Sequence, residues 1–316
     1  MRALLYGFLL AVCACAVPRP AAVLPPGVWS LRILGAAQDG GVPQLGCTAA
    51  VCVRAHRHRV PADRVAALAV VAPDGRWWLI DATPDLPAQI HAMGGLPQAI
   101  LLTHAHIGHY TGLMFLGREA AGTRGMPVWC SPAMARFLRK NAPWSQLVAL
   151  GEIELRPFES GKPFELAAGL TVTPWKVPHR NEFADTHAFR IEREGGLSAL
   201  YLPDIDRWEP WDRSIAAVAR RTDLLFLDGT FFSDAELPGR DRSTIPHPNV
   251  TETMDLLEEV VAATGHRVVF THLNHTNPLW ISSSRANAEL RRRGFTTAIR
   301  ETVFPLAPPR PATARW

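Results

Sequence analysis

Hydrophobic residues occur along this chain in short runs, each bounded by glycine, proline or charged residues. Short apolar runs rich in Val, Ile, Leu and Trp are typical of buried β-strands. They predict strands at residues 31–35, 66–72, 76–81, 99–104, 126–130, 170–177, 187–192, 198–204, 223–228 and 267–272. Apolar positions with helical spacing predict helices at residues 110–119, 132–140, 211–220, 249–263 and 283–293.

The predicted helix at 249–263 has the clearest sequence signals. Asn249 or Thr251 suits the N-cap, and Met254, Leu257 and Val261 fall on one face. Short strands interspersed with helices of this kind are compatible with a globular α+β protein.

Five of the predicted strands end on a side chain that can bind a metal ion. These residues are Asp81, His104, Asp204, Asp228 and His272. Strand ends lead into loops, and loops at one edge of a sheet commonly carry functional groups. We therefore expect these side chains to share one rim of the sheets.

The densest group of candidate ligands is in "LLTHAHIGHYTGL", residues 101–113. His104 and His106 are two apart, so in an extended segment their imidazoles point to the same side. His109 follows at the start of a predicted helix and can reach the same rim. Imidazole suits zinc, iron, copper or nickel, so the cluster predicts a metal site.

Three further residues can complete this ligand set. His179, Asp204 and His272 each follow an apolar run and open a loop. The two oxygens of Asp204 could bridge two cations. Two such ions would lower the pKa of a shared water and clamp a substrate oxygen, a role in which we expect Asp204 and His272 to be the catalytic residues.

The order H-x-H-x-x-H, then a His, an Asp and a late His, resembles the metallo-β-lactamase superfamily. The resemblance implies an αββα sandwich of two mixed β-sheets flanked by helices, over residues 31–305. "GAAQDGGVPQLGC" at 35–47 and "HLNHTNP" at 272–278 resemble the branch that includes the pyrroloquinoline-quinone (PQQ) biosynthesis protein B.

The resemblance also implies a division of the ligands between two metal positions. His104, His106 and His179 would form the first position, and His109 and His272 would belong to the second. Asp204 would lie between them, and Asp81 would orient ligands from behind.

Gly108 departs from the superfamily pattern H-x-H-x-D-H, whose aspartate binds the second ion. The PQQ branch departs differently, lacking the H-x-H pair. Asp39, His247 and His275 are candidates to replace the missing ligand. We expect one or two ions, zinc foremost with iron or manganese as alternatives, one of them bound weakly. Gly108→Asp is then expected to strengthen the weak position.

Three cysteines lie beyond the N-terminal segment: Cys47, Cys52 and Cys130. Cys47 and Cys52, with His56 close behind, offer ligands for a structural zinc ion. A Cys47–Cys52 disulfide or two free thiols are the alternatives.

Three functions fit these patterns. The first is a metal-dependent hydrolase that uses a metal-bound hydroxide on an unidentified small substrate. The second is an iron-dependent oxygenase or biosynthetic helper of the PQQ protein B type. The third is a non-catalytic protein that binds a metal or a ligand.

The N-terminal segment predicts export. Arg2 precedes an apolar stretch that stops at Pro18, so residues 1–17 fit a signal peptide, either of the ordinary type or of the lipoprotein type with Cys13 or Cys15 lipidated. An uncleaved membrane anchor is the alternative. A Pro-rich spacer is expected at 18–30 and a disordered tail at 306–316. We expect a periplasmic or lipid-anchored protein that contacts a membrane only through this end.

Composition narrows the class of partner. The 316 residues are 47% hydrophobic and 20% charged, with a net charge of +4, as in a globular protein. The basic residues are scattered rather than gathered in a stripe, which argues against nucleic-acid binding. We expect a small-molecule substrate, and the sequence leaves the oligomeric state open.

Overall fold

The computed structural model describes residues 27–60, 62–237, 239 and 245–307. The predicted signal peptide and the last nine residues of the expected tail lie outside these ranges. Within them, no helix is long and apolar enough to cross a membrane.

The strands of the described part are, in chain order, β1 (Ser30–Gly35), β2 (Ala67–Val71), β3 (Trp77–Ile80), β4 (Ile100–Leu101), β5 (Met126–Cys130), β6 (Ile153–Pro157), β7 (Phe164–Ala167), β8 (Leu170–Val177), β9 (Thr186–Arg193), β10 (Ser198–Leu202), β11 (Leu224–Asp228), β12 (Arg267–Thr271), β13 (Thr296–Thr297) and β14 (Val303–Pro305). They form two seven-stranded sheets, ordered β14-β1-β2-β3-β4-β5-β6 and β13-β12-β11-β10-β9-β8-β7. Both sheets mix parallel and antiparallel pairs.

The α-helices are α1 (Ala50–His56), α2 (Leu86–Met93), α3 (Ile107–Tyr110), α4 (Pro132–Lys140), α5 (Trp144–Ala149), α6 (Ile215–Ala219), α7 (Val250–Thr264) and α8 (Arg285–Arg292). Short 3-10 segments cover Thr111–Leu116, Asp234–Glu236 and Pro278–Trp280. Asn249 is the N-cap of α7 and forms a capping box with Glu252.

The hydrophobic side chains of each sheet divide between its two faces, as the two-residue period of a strand requires. In β2, Leu68 and Val70 pack between the sheets, whereas Ala67 and Ala69 face the helices. The second sheet repeats this division, with Tyr201 inside and Leu200 against α7 and α8. The result is an αββα sandwich, which confirms the predicted fold class.

Several elements differ from the sequence-based expectations. The predicted helix at 110–119 is a single turn of α3 followed by a 3-10 segment. Gly112 lies so close to the 82–83 backbone that a Cβ there would be 2.0 Å from the Thr83 carbonyl oxygen. Leu306, the first residue of the expected tail, is fully buried in the core between the sheets. Strands β6, β7, β13 and β14 and helices α1, α2 and α5 were not predicted.

The parallel strands explain how the site is assembled. β3 pairs parallel with β4, and β10, β11 and β12 are parallel neighbours, so their carboxyl ends meet at one rim of the sandwich. Asp81 and His272 leave their strands with φ values of 70° and 58°. Non-glycine residues adopt this left-handed conformation rarely, and it is concentrated at functional sites.

Candidate metal centre

The carboxylate of Asp204 lies at the middle of a ring of histidines. Its Oδ2 is 3.1 Å from His109 Nε2 and 3.3 Å from His272 Nε2. The same oxygen is 3.5 Å from His104 Nε2, and Oδ1 is 3.8 Å from His179 Nε2. Asp204 is 3% exposed, so its carboxylate is shielded from solvent and surrounded by imidazole rings.

The first position consists of His104, His106 and His179, whose candidate ligand atoms lie within 4.8 Å of one another. His106 Nδ1 is 3.1 Å from His179 Nε2. The two histidines of the H-x-H pair therefore point inward from the loop after β4, and His179 meets them from the loop after β8.

The second position consists of Asp39, His109 and His272, grouped within the same distance. His109 Nε2 is 3.3 Å from His272 Nε2 and 3.4 Å from Asp39 Oδ1, and His272 Nε2 is 3.7 Å from Asp39 Oδ1. Of the three residues considered as a replacement ligand, the structure brings Asp39 to this position.

Gly108 is what allows Asp39 to be there. A Cβ built on Gly108 would lie 2.1 Å from Asp39 Oδ1 and 2.9 Å from its Cα. Any side chain at 108 would therefore overlap the carboxylate of Asp39. The aspartate missing from the H-x-H-x-D-H pattern and the aspartate present in the loop after β1 compete for one space.

Each histidine of the two positions is held from behind through its outer ring nitrogen. The contacts are Thr103 Oγ1–His104 Nδ1 at 2.9 Å, Glu182 Oε2–His106 Nε2 at 3.0 Å, Asp81 Oδ2–His109 Nδ1 at 2.7 Å, Asp206 Oδ1–His179 Nδ1 at 2.8 Å and Thr230 Oγ1–His272 Nδ1 at 3.1 Å. Such partners fix the tautomer and the ring orientation. The role expected of Asp81 fits this geometry, whereas the other four partners were missed because nothing in their local sequence marks them.

Atoms at the middle of the ring match the needs of a cation. His104 Nε2, Asp204 Oδ2 and Asp39 Oδ1 are buried and form no hydrogen bond within the described residues. Buried polar atoms rarely remain without partners. Imidazole nitrogens with carboxylate oxygens are a donor set that zinc, iron and manganese accept. The residues therefore fit one or two metal ions.

Comparison with known proteins decides the family. Residues 76–273 match the family described as the beta-lactamase superfamily domain. Coenzyme PQQ synthesis protein B of Stutzerimonas stutzeri is 30% identical over 301 residues, 85% of this chain and 97% of the relative. The protein of that name from Methylorubrum populi is 31% identical over 300 residues, 84% and 96% of the two chains. This chain belongs to the beta-lactamase superfamily.

Solved structures agree with this assignment to the superfamily. The crystal structure of Zn²⁺-bound PqqB from Methylobacterium extorquens matches with a TM-score of 0.75 at 26% identity, covering 87% of this chain and 99% of that one. A diphosphatase from the PhnP family shares the fold, with a TM-score of 0.64 at 24% identity over 88% and 98% of the chains. The predicted resemblance to the PQQ protein B branch is thus confirmed.

The two positions of this superfamily member differ in protonation. Burial lowers the pKa of His104, and the neighbouring His109 lowers it further. Burial also opposes a charge on His109, but the carboxylates of Asp81, Asp204 and Asp39 outweigh it and raise its pKa well above the usual value. A cation at the first position therefore meets a neutral His104, whereas one at the second position must displace a proton from His109.

His247 lies beside the centre without joining either trio. It is buried, its Nδ1 is 2.7 Å from Asp228 Oδ2, and the same atom is 3.8 Å from Asp204 Oδ1. Burial would lower the pKa of His247, but Asp228 raises it. His247 thus does not join Asp39, His109 and His272 at the second position, and it groups instead with Asp204 and Asp228.

Cys47 and Cys52 lie next to a different histidine from the one that the sequence predicts. Cys47 Sγ is 3.2 Å and Cys52 Sγ 3.6 Å from His275 Nδ1, and neither cysteine is in a disulfide. His56, the histidine expected to join them, is exposed at the end of α1, and the structure groups the thiols with His275 instead. His275, expected near the second metal position, lies with the thiols instead because the 272–275 loop turns toward α1.

Proposed function

We propose that this protein is a metal-dependent hydrolase with a two-ion centre. The observation that carries the proposal is the pair of three-residue groups around Asp204, the second completed by Asp39 where Gly108 leaves room. The superfamily membership and the zinc-bound structural relative support a metal at this rim.

His104, His106 and His179 would hold one ion, Asp39, His109 and His272 the other, and Asp204 would face both. Ions bound there would supply Lewis acidity, making a water molecule nucleophilic and polarising the substrate. The protein's own contribution is a fixed arrangement: the rings are held by Asp81, Asp206 and three further partners before any substrate arrives.

The pair His247–Asp228 would serve proton transfer. His247 Nδ1 donates a hydrogen bond to Asp228 Oδ2, so Nε2 is the ring nitrogen that would exchange a proton. A buried imidazole oriented in this way beside the centre could protonate a departing oxygen through Nε2. We propose this role for His247, in addition to the catalytic roles expected of Asp204 and His272.

Only some of the ligand side chains of the metal centre are exposed to solvent. Among the ligand side chains, His106 is 16% and Asp39 31% exposed, whereas those of His104, His109 and Asp204 are 3% exposed or less. Ile107 and Phe183, each next to a residue that shapes the first position, are 62% and 61% exposed. A small substrate with an apolar group beside the reacting bond suits this opening.

A second candidate function rests on the named relatives. Proteins called coenzyme PQQ synthesis protein B match 85% of the chain, and histidine–carboxylate ligands also suit non-haem iron. An oxygen-dependent step in the biosynthesis of a quinone cofactor is therefore the alternative, and zinc against iron in the purified protein separates the two.

The test combines metal analysis with a substrate panel. We expect the protein purified from cells to contain zinc and to hydrolyse at least one of an ester, a lactam, a phosphodiester and a thioester. His104→Ala should abolish that turnover while leaving the circular-dichroism spectrum unchanged. Iron in place of zinc, with oxygen consumption and no hydrolysis, would overturn the proposal in favour of the alternative.

Export to the periplasm remains a proposal that rests on residues 1–17. Cell fractionation of the full chain, compared with a chain starting after Val17, tests it. Equal distribution of both between compartments would contradict it.

A further inference from the structure

A cavity separate from the metal centre lies between the end of α1, helix α8 and the loop after β12. Its volume is about 520 Å³, within the range of sites that enclose small organic molecules. None of the residues of the two metal positions lines it.

The floor of the cavity is apolar. It is formed by the buried side chains of Val60, Leu273, Leu279, Leu290 and Ala298. At the rim, Ile299 is 67% exposed. Ile299 thus extends the apolar surface of the cavity to its rim.

Three arginines surround this apolar floor: Arg54 at the end of α1, Arg59 in the following loop and Arg291 on α8. All three are exposed, and within the described residues none of them forms an ion pair with a carboxylate. Arg291 makes one hydrogen bond, to the Ser282 carbonyl at 3.4 Å.

The one carboxylate that lines the cavity does little to offset these charges. Asp63 lies 3.8 Å from Arg300, and burial raises the pKa of Asp63 to about 7. Near neutral pH it therefore carries only part of a negative charge. The cavity combines an apolar floor with a net positive rim.

We propose that this cavity binds a small organic anion, a carboxylate attached to an apolar or aromatic body. The body would lie on Leu279, Leu290 and Ala298, and the carboxylate would meet the guanidinium groups at the rim, which favour planar two-point contacts with carboxylates. The site stands independently of the proposed hydrolase activity.

The cavity lies against the loop that carries one of the metal ligands, so a bound anion could influence the metal centre through this loop. Leu273 in its floor directly follows His272 of the second metal position, and Trp280 in its wall donates a hydrogen bond to the Asn274 carbonyl at 2.9 Å. A bound anion would therefore rest against the loop that carries His272.

Calorimetry with naphthoate and its neutral amide, naphthamide, tests the proposal on the full protein. We expect one equivalent of naphthoate to bind, with naphthamide at least about tenfold weaker. Replacing Arg54, Arg59 and Arg291 together by Gln should weaken naphthoate by roughly a hundredfold and naphthamide hardly at all. Replacing Arg57, Arg285 and Arg292 by Gln, which removes three charges close in sequence but outside the cavity, provides the matched control.

Two further variants make the outcome specific. Ile299→Ser should weaken both compounds, because it removes apolar surface at the rim. His104→Ala should leave naphthoate binding unchanged, which excludes a carboxylate bound at the metal centre instead. Equal affinity for the two compounds, an effect of the control variants as large as that of the cavity variants, or loss of binding in His104→Ala would overturn the proposal.

Discussion

The two metal positions share Asp204 and the same rim, yet they are built in different ways. In the first, two of three ligands lie two residues apart in one loop, and burial keeps His104 neutral. In the second, the ligands come from residues 39, 109 and 272, and three carboxylates hold a proton on His109. The comparison shows that a short sequence motif identifies the ligands close together in the chain, but not ligands such as Asp39 that distant segments contribute.

The largest expected effect removes the residue that the two positions share. Asp204→Ala takes away the carboxylate that faces both, so we predict the loss of both ions and of all activity. The fold should persist, because the rim lies outside the core between the sheets. Metal content by mass spectrometry and circular dichroism check this, with the exposed Asp212→Ala as control. Near-full occupancy in Asp204→Ala would contradict the shared role.

A smaller effect should separate the positions. Gly108→Ala places a Cβ where Asp39 Oδ1 now lies, 2.1 Å away, so it should displace Asp39 and weaken the second ion alone. Overpacking should also cost about 1–3 kcal/mol of stability. Metal equivalents and thermal unfolding measure the two effects.

Gly95→Ala is the control for that variant, since a Cβ there meets nothing within 4 Å. The same overlap changes the expectation for Gly108→Asp, which the motif alone predicts to strengthen the second position. The structure predicts a loss unless Asp39 is replaced as well. Full retention of two tight ions in Gly108→Ala would show that Asp39 is not a ligand.

The cysteine group should be separable from both positions. Cys47→Ser or Cys52→Ser should lower the thermal midpoint by several degrees and remove one zinc equivalent, while the centre keeps its ions. Cys130 is buried and belongs to none of the candidate metal groups among the described residues, so Cys130→Ala should leave the zinc content unchanged. Equal zinc content in all three variants would exclude a metal at this group.

The smallest effect is a difference in pH dependence. In the metal-free protein the pKa of His109 is raised and that of His104 is lowered, so an ion binding near neutral pH must displace a proton from His109 but not from His104. As the pH falls below the pKa of His109, affinity of the second position should drop by up to roughly tenfold per pH unit, and that of the first by less. Competition titrations at several pH values test this, and parallel slopes would contradict it.

Much of the fold and of the first position could be predicted from local patterns. The strand predictions at 126–130 and 170–177 match β5 and β8, because continuous apolar runs between turn residues have few other uses. The predicted strand at 99–104 is longer than the observed one: β4 is only Ile100 and Leu101, and the residues after it lead into the buried segment that carries His104.

What the sequence could not reveal depends on contacts between distant segments. Glu182 and Asp206 acquire their roles only because the loops after β8 and β10 meet at the rim. His56 is close to Cys47 in sequence and was the expected partner, whereas His275 reaches the thiol only because the 272–275 segment folds beside it. By sequence, Leu306 belongs to a Pro-rich C-terminal segment that is expected to be disordered. In the structure it is fully buried beside β1.

The central claim is that Asp39 supplies the carboxylate that Gly108 lacks. The most direct test is a zinc titration of metal-free wild type and Asp39→Asn, a variant of the same shape without the charge. We predict two equivalents at the centre of the wild type. In Asp39→Asn the first should be unchanged and the second weakened by more than about 100-fold, beyond what loss of a supporting residue usually costs. Two equivalents of unchanged affinity in Asp39→Asn would contradict the claim.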